Sequence, residues 1–254
     1  MSDQSHADAV RRQFGAQASA YLSSAVHAQG PEFAELREAV AACPDARVLD
    51  LGCGAGHVSY QVAPLAGAVV AYDLAPEMLA IVAATARERG LGNITTTQGA
   101  AEHLPFPDRQ FDLVFSRYSA HHWSDLGGAL REVRQVLKPG GRAAFVDIAG
   151  APRPLLDTHL QTVEVLRDPS HVRDYTPVEW LQLVAQAGLK PERHALSRLP
   201  LEFASWVERM RTPESLRIAI RALQDGASRE VRDYFAIEAD GSFSADVLVL
   251  WASR

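Results

Sequence analysis

Cysteine is scarce in this sequence of 254 residues, which contains only Cys43 and Cys53. Two cysteines are too few for a disulfide framework, so the chain suits a reducing compartment. Long apolar runs are also missing, since none approaches the roughly 20 residues that a membrane-spanning helix requires. The first residues, MSDQSHADAVRRQF, are charged and lack the apolar stretch of an export signal. We therefore expect a cytoplasmic protein that is neither exported nor membrane-spanning.

Basic residues are in short supply as well. Lys and Arg together number 25 against 31 Asp and Glu, which gives a net charge of −6, and no dense basic block occurs. Proteins that bind nucleic acid usually present clustered positive charge to the phosphates, so we expect no nucleic acid partner. With 47% hydrophobic and 22% charged residues, the composition is that of a globular protein with a sizeable core.

Short apolar segments rich in β-branched residues alternate with amphipathic segments from residue 47 onward. The segments with strand character are RVLDL, AVVAYDL, NITTTQ, FDLVFS and RAAFVDI, and those with helical spacing include PEMLAIVAATARERG and SDLGGALREVRQVL. Alternation of this kind is typical of a mostly parallel sheet with helices on both faces. The sequence therefore predicts an α/β fold with a doubly wound sheet.

The segments outside this alternation are mainly helical in character, and we expect all of them to belong to one domain, residues 1–254. An N-terminal helical cover spans 1–45, the ligand-binding core spans 46–150, and helical insertions occupy 151–190 and 200–240. A strand between the two insertions and a final strand, SADVLVLW, would complete the sheet.

Helix starts are marked by polar residues that can cap free backbone N–H groups. Ser124 precedes one amphipathic segment and is the predicted N-cap there. Thr176, Pro177 and Glu179 supply an N-cap, a first-turn proline and the acid of a capping box for another helix.

A glycine-rich loop follows the first predicted strand, in the segment VLDLGCGAG. The strand passes through Asp50 and leads into Gly52, Gly54 and Gly56, just before a helix. Glycine permits left-handed backbone and close approach of a ligand, and the helix start offers free N–H groups to an anionic group. A tight structural turn is the alternative explanation for such a loop.

An acid at the end of the second strand, Asp73, makes the ligand interpretation more specific. It stands at about the separation from the glycine loop at which an acid binds ribose hydroxyls in nucleotide-binding α/β proteins. Loop and acid together predict a ligand that contains adenosine. The dinucleotide fingerprint GxGxxG has its third glycine where this chain has His57, so the loop departs from that pattern.

Four motifs occur together between residues 48 and 147: VLDLGCGAG, AYDLAPEML, AEHLPFPDRQFDLVFSRYSAHHW and LREVRQVLKPGGR. In order and spacing they resemble the class I S-adenosylmethionine-dependent methyltransferases, in particular small bacterial members related to the ubiquinone and menaquinone biosynthesis C-methyltransferases. The resemblance implies a Rossmann-like, seven-stranded sheet, S-adenosylmethionine as methyl donor and S-adenosylhomocysteine as product. It also implies a small-molecule acceptor, with the helical insertions forming a lid over it.

The resemblance also assigns residues to the donor. The methionine part would lie against the glycine loop with Asp50 near its ammonium, and the ribose would contact Asp73. Leu74 and Met78 would bracket the adenine. The full set of implied cofactor-binding residues is Asp50, Gly52, Cys53, Gly54, Gly56, Asp73, Leu74, Met78, Ala101, Glu102, Ser116 and Arg117. Cys53 is expected to act as a small packing residue and not as a nucleophile.

Methyl transfer from a sulfonium is an in-line displacement, so alignment of the two reactants can supply about 7–11 kcal/mol of the rate acceleration. A general base is needed only where the acceptor must lose a proton. The candidate catalytic residues are His121, His171 and Tyr21, the last as an aromatic that closes over the donor. His121 and His122 are adjacent and cannot both face one point, so one of them is expected to be structural.

No spacing of His, Cys, Asp or Glu typical of a metal site occurs, and we expect that the protein binds no metal. Two other functions stay open on the sequence. One is an NAD(P)-dependent oxidoreductase, which the GxGxG spacing and the lack of a YxxxK motif disfavour. The other is a regulator that binds S-adenosylmethionine or S-adenosylhomocysteine without catalysis. The atom that accepts the methyl group and the choice between monomer and homodimer also stay open.

Overall fold

A seven-stranded sheet forms the centre of the computed structural model, which describes residues 5–15 and 30–254. The strands are β1 (Arg47–Leu51), β2 (Ala68–Asp73), β3 (Ile94–Gln98), β4 (Phe111–Arg117), β5 (Leu137–Ile148), β6 (Lys190–Leu201) and β7 (Phe243–Ser253). Their order across the sheet is β3-β2-β1-β4-β5-β7-β6. The first five pair in parallel, and β7 runs antiparallel to both of its neighbours. The predicted α/β class and mostly parallel seven-stranded sheet are confirmed.

Helices cover both faces and the carboxyl end of this sheet. They are α1 (His6–Gly15), α2 (Glu32–Ala41), α3 (His57–Val62), α4 (Pro76–Glu88), α5 (Leu126–Val136), α6 (Pro154–Arg167), α7 (Pro177–Gln186), α8 (Phe203–Arg209), α9 (Glu214–Asp225) and α10 (Arg229–Phe235). Within the described ranges, no helix is long and apolar enough to cross a lipid bilayer.

The core has two layers because successive side chains of a strand point to opposite faces of the sheet. In β1, Leu49 and Leu51 pack with α5 and α7 on one face, and Val48 packs with α2 and α3 on the other. All three side chains are fully buried. This double burial explains why the central strands are apolar on both faces and why the sheet must be covered on both sides.

A further apolar cluster joins the two helical insertions to the sheet. Trp206 of α8 and Phe235 of α10 pack with Leu160 of α6 and with the ends of β5, β6 and β7. The insertion predicted at 200–240 contains three helices. The cluster fixes these helices at the carboxyl end of β5, beside the central strands.

Helix starts follow the sequence signals in one case and depart from them in another. At α7, the Thr176 hydroxyl accepts a hydrogen bond from the Glu179 N–H at 3.2 Å, and the Glu179 carboxylate accepts from the Thr176 N–H at 2.8 Å. The predicted capping box is confirmed. At α5 the N-cap is Asp125, whose carboxylate accepts from the Gly128 N–H at 2.8 Å, so the prediction of Ser124 as N-cap was wrong.

The three glycines of the first loop all have left-handed backbone, with φ of 69° at Gly52, 50° at Gly54 and 85° at Gly56. Residues with a Cβ rarely adopt this conformation, which confirms the conformational role predicted for glycine here. The loop can therefore turn sharply from β1 into α3 while its backbone remains open to the carboxyl end of the sheet.

Two of these glycines differ in the space around them, which predicts a difference in stability. A Cβ at Gly56 would lie 2.9 Å from Tyr60 and from Val82, whereas a Cβ at Gly54 would meet nothing within 4 Å. Both alanine variants should lose about 1–2 kcal/mol from left-handed strain. Gly56→Ala should lose about 1–3 kcal/mol more from overpacking. Denaturant unfolding measures the difference, and equal losses in the two variants would show that packing at Gly56 is not limiting.

Candidate functional site

A cavity of about 260 Å³ opens at the carboxyl ends of β1, β2 and β4. Here the strand order reverses direction, and open α/β sheets bind ligands at such points. The cavity is lined by ten of the residues that the sequence assigned to the donor. They are Asp50, Gly52, Cys53, Gly54, Asp73, Leu74, Met78, Ala101, Glu102 and Arg117.

Asp50 connects the glycine loop to the following helix. Its Oδ2 accepts hydrogen bonds from the Ser59 backbone N–H at 2.9 Å and from the Ser59 hydroxyl at 2.6 Å. Only 1% of its surface is exposed. Burial raises the pKa of Asp50 to about 7, although the bonds from Ser59 oppose the rise. Asp50 therefore shapes the loop from the back of the cavity.

Asp73 holds the cavity wall from the end of β2. Its Oδ2 accepts from the Gly54 N–H at 2.8 Å, and its Oδ1 accepts from the Ala75 N–H at 2.9 Å. Burial raises the pKa of Asp73, and the backbone donors oppose that rise. Because a carboxylate oxygen can accept more than one hydrogen bond, both oxygens keep capacity for a ligand.

Glu102 has a structural task that the sequence did not indicate. Its Oε1 accepts from the Ser124 N–H and hydroxyl, both at 2.8 Å, and from the Asp125 N–H at 3.3 Å. These bonds fix the loop before α5 against the cavity rim. They also occupy Ser124, which is why the neighbouring Asp125 caps the helix instead.

Two of the predicted donor residues do not line this cavity. Gly56 lies at the start of α3, behind the loop. Ser116 is buried on β4 next to Arg117 and is not among the residues that line the cavity. Arg117 forms a buried ion pair with Glu32, with 2.6 Å between Nε and Oε1. Its charge is thus balanced by α2.

The candidate histidines form a cluster with His122. The ring centroids of His121 and His122 lie 4.1 Å apart, and those of His121 and His171 lie 5.8 Å apart. His122 lines the first cavity and a second one, His121 lines only the second, and His171 lines neither. His121 and His122 thus both reach the second cavity, so adjacent histidines can share one site here. A purely structural role for one of them stays a prediction.

Asp147 sets the charge state of the cluster. Its Oδ1 lies 2.5 Å from His121 Nδ1, and its Oδ2 accepts from the His121 N–H at 3.2 Å. Burial lowers the pKa of His121, but the Asp147 carboxylate outweighs it and raises the pKa to about 9. Burial together with the His121 charge lowers the pKa of His122 to about 3 and that of His171 to about 2. At neutral pH, His121 is the charged member.

The second cavity, about 70 Å³, adjoins the first. Phe14, Tyr118 and His122 line both cavities and therefore form the boundary between them. Tyr118 has a φ of 51°, a strained conformation of the kind that clusters at functional sites. The other lining residues are His121, Ile148, Glu164, Arg167, Asp168, Asp174, Leu199, Leu201, Trp206, Arg209 and Met210.

Most of these residues come from the insertions, and no sequence motif marked them. The described residues contain no group of three or more His, Cys, Asp or Glu that could hold a metal ion.

Helix α1 packs over the boundary between the cavities. His6 Nε2 lies 2.9 Å from the His122 carbonyl oxygen, and the Phe14 ring meets the His122 ring edge-on at 4.8 Å. This part of the predicted N-terminal cover therefore contacts the site. Tyr21 lies outside the residues that the structure describes.

Known proteins resemble this chain over most of its length. The methyltransferase domain family matches residues 49–145. The chain is 53% identical over 203 residues to the uncharacterized protein YafE of Escherichia coli, which covers 80% of this chain and 98% of YafE. It is 33% identical over 214 residues to the aklanonic acid methyltransferase DauC of a Streptomyces species, covering 82% of this chain and 89% of DauC.

A solved structure agrees with the fold as well. The uncharacterized methyltransferase YcgJ of Bacillus subtilis is 36% identical over 224 residues, covering 88% of each chain. Its crystal structure superposes with a TM-score of 0.83 at 34% identity, covering 88% of this chain and 97% of YcgJ.

The His121–Asp147 pair predicts a pH-dependent contribution to stability. Because the folded pKa of His121 is raised above its ordinary 6.5, the contribution is complete below pH 6.5 and is lost as the pH rises through about 9. The destabilisation caused by Asp147→Asn should therefore shrink by about 3 kcal/mol over this window, at roughly 1.4 kcal/mol per pKa unit. Denaturant unfolding from about pH 6 to about pH 9.5 measures the change.

Asp112→Asn provides the control, because Asp112 bonds to Lys138 and to the Arg47 N–H and, among the described residues, to no histidine. Its destabilisation should stay constant over the same window. If the Asp147→Asn effect is equally constant, the proton on His121 is not stabilised by Asp147.

Proposed function

The chain belongs to the class I S-adenosylmethionine-dependent methyltransferases, and we propose that it transfers the methyl group to a small molecule bound in the second cavity. The observation that carries this proposal is the position of the Asp73 carboxylate. Hydrogen bonds from the Gly54 and Ala75 N–H groups hold it at the wall of the first cavity, and the second cavity adjoins the first. A donor in the first cavity and an acceptor in the second would meet at their boundary.

The residues of the first cavity fit the proposed donor. Both Asp73 oxygens can accept further hydrogen bonds, as a ribose diol requires. Leu74 and Met78 offer apolar surface to an adenine ring, and a Cβ at Gly54 would meet only open space. The loop backbone is therefore accessible to the methionine part of the donor.

We assign the remaining donor contacts from the same geometry. The glycine loop, including Cys53, would lie along the methionine part, with Asp50 acting from behind it. Ala101 and Glu102 would meet the adenine edge. Arg117 would line the methionine end through a side chain that Glu32 holds in place. S-adenosylmethionine carries the methyl group on a sulfonium sulfur. On transfer of that group, the sulfur would leave as the thioether of S-adenosylhomocysteine.

His121 is the proposed proton acceptor for the methyl acceptor molecule. Asp147 contacts Nδ1, so Nε2 is the ring nitrogen left for a ligand of the second cavity, which His121 lines. Because His121 is charged at neutral pH, only its deprotonated form can accept a proton. As the acceptor atom forms its bond to the methyl carbon and the carbon–sulfur bond breaks, the proton of the acceptor would pass to Nε2 of that form. His171 is better suited to position His121 than to accept a proton itself, because His171 Nε2 is already engaged at 2.9 Å from Gln161 Oε1. A role for Tyr21 over the donor stays a prediction.

Several observations favour a small-molecule acceptor. The second cavity holds about 70 Å³ and combines charged side chains of the first insertion with apolar side chains of the second. One relative, DauC, is named as an aklanonic acid methyltransferase. The net charge of −6 disfavours a polyanionic acceptor such as RNA. We therefore assign the helices within 151–190 and 200–240 to the cover of the acceptor.

The proposed function is tested directly by transfer of label. The protein is incubated with S-adenosylmethionine carrying an isotopically labelled methyl group and a metabolite extract, and labelled compounds are identified by mass spectrometry. We expect a labelled small molecule, together with calorimetric binding of S-adenosylhomocysteine and none of NAD. Binding without any labelled product would favour the non-catalytic regulator, and binding of NAD would favour the oxidoreductase.

Asp73→Asn should weaken the binding of S-adenosylhomocysteine by about tenfold or more, because one acceptor oxygen is lost from the proposed ribose contact. Isothermal titration calorimetry measures the change. Asp112→Asn is the control, since Asp112 lies at the start of β4, away from the cavity. Unchanged affinity in Asp73→Asn would remove Asp73 from the donor site.

His121→Gln should lower turnover by roughly 10²–10⁴-fold while leaving the affinity for S-adenosylhomocysteine nearly unchanged, because His121 does not line the donor cavity. The wild-type rate should rise as the pH approaches about 9, where His121 loses its proton. The variant should lack this rise. Equal losses of turnover and donor affinity would indicate a structural role.

A further inference from the structure

An acidic side chain of the second cavity lacks a hydrogen-bond partner. Asp174 follows α6 in the first insertion, is 1% exposed and lines this cavity. Its Oδ2 is buried and has no partner among the described residues. Nearly all buried polar atoms in native proteins are hydrogen-bonded, so an atom of this kind on a cavity wall points to a bound group.

The neighbours of Asp174 are engaged elsewhere. Gln161 Oε1 lies 2.9 Å from His171 Nε2 and accepts from the Asp174 N–H at 3.1 Å. Gln161 Nε2 donates to Asp157 and to the Asp174 carbonyl oxygen. His171 Nε2 is 4.0 Å from Asp174 Oδ2, beyond hydrogen-bond distance. These bonds hold the Asp174 backbone in place and leave its carboxyl group to the cavity.

Several other charged groups around the cavity have partners. Arg167 lies 3.3 Å from Glu164, and His121 is paired with Asp147. Asp168 Oδ1 accepts from the Ser170 N–H and hydroxyl. These groups offer little to a charged ligand, and an uncharged one fits them better.

The cavity also has apolar lining. Leu201 and Trp206 are both buried and belong to the cluster that joins the insertions to the sheet, and Ile148 and Met210 line the cavity as well. The cavity thus combines one unsatisfied carboxyl group with a hydrocarbon surface, which is the usual pattern of small-molecule sites.

Resting on the proposed function, we propose that this cavity selects an uncharged acceptor that places a hydroxyl group on Asp174 and an apolar or aromatic body against Trp206 and Leu201. A hydroxyl group both donates and accepts a hydrogen bond, so it satisfies the carboxyl group whether or not that group is protonated. Burial raises the pKa of Asp174 well above its ordinary value, with Glu164 as a further cause, which adds to the preference for an uncharged partner.

Phenol and toluene form a matched pair of probes, since they differ mainly by a hydroxyl in place of a methyl group. Binding is titrated by ligand-observed NMR in the millimolar range, with the donor cavity saturated by S-adenosylhomocysteine. We expect the wild-type protein to bind phenol about tenfold more tightly than toluene. In Asp174→Leu, the preference should reverse in favour of toluene.

Asp157→Asn is the matched control. Asp157 bonds to Gln161 and Arg173 but lines neither cavity, so its variant should keep the preference for phenol. Should Asp174→Leu fail to fold, a crystal structure of the wild-type protein with S-adenosylhomocysteine and phenol decides the matter. We expect the phenol oxygen within about 3.2 Å of Asp174 Oδ2.

Three results would overturn the inference: equal affinity of the wild-type protein for the two probes, a retained preference in Asp174→Leu, or phenol bound elsewhere in the crystal. Failure of the wild-type protein to bind S-adenosylhomocysteine in the same experiment would instead remove the proposed function on which the inference rests.

Discussion

Asp73 accepts hydrogen bonds from the backbone N–H groups of Gly54 and Ala75, and these two bonds join three elements at the carboxyl end of the sheet. They fix the glycine loop after β1, the end of β2 and the start of α4 relative to one another. A cavity wall built in this way is rigid before any ligand arrives, so little ordering is left to be done on binding. The left-handed glycines are the local condition for this arrangement, because a loop of other residues would resist the turn.

A second constraint lies on the other side of the cavity boundary. Asp147 holds the charge of His121, and burial together with that charge keeps His122 and His171 neutral. The rings of His122 and His171 lie 4.1 and 5.8 Å from the His121 ring, so a proton on His121 disfavours a second proton on either neighbour. The neutral His122 then lies between the two cavities, with α1 packed over it.

Particular residues show how far the sequence leads. The strands, their mostly parallel direction and the glycine loop can be predicted from local patterns. Apolar runs, the alternation of strands with helices and the spacing of glycines are all visible within short segments of the sequence. Ser116 shows the limit, because it is adjacent to Arg117 on β4 and only Arg117 lines the cavity. Glu102 shows the same limit, since its bonds to Ser124 and Asp125 depend on two loops meeting in space.

The sequence by itself determined the fold class, the methyltransferase family and ten of the residues around the first cavity, because these lie in contiguous motifs at the ends of neighbouring strands. Only the tertiary structure decided the second cavity. His121, Asp147, Asp174 and Trp206 come from separate segments of the chain, and long-range packing of the insertions on β5, β6 and β7 brings them together. No local pattern encodes such contacts, because they arise from burial of apolar surface between elements distant in sequence.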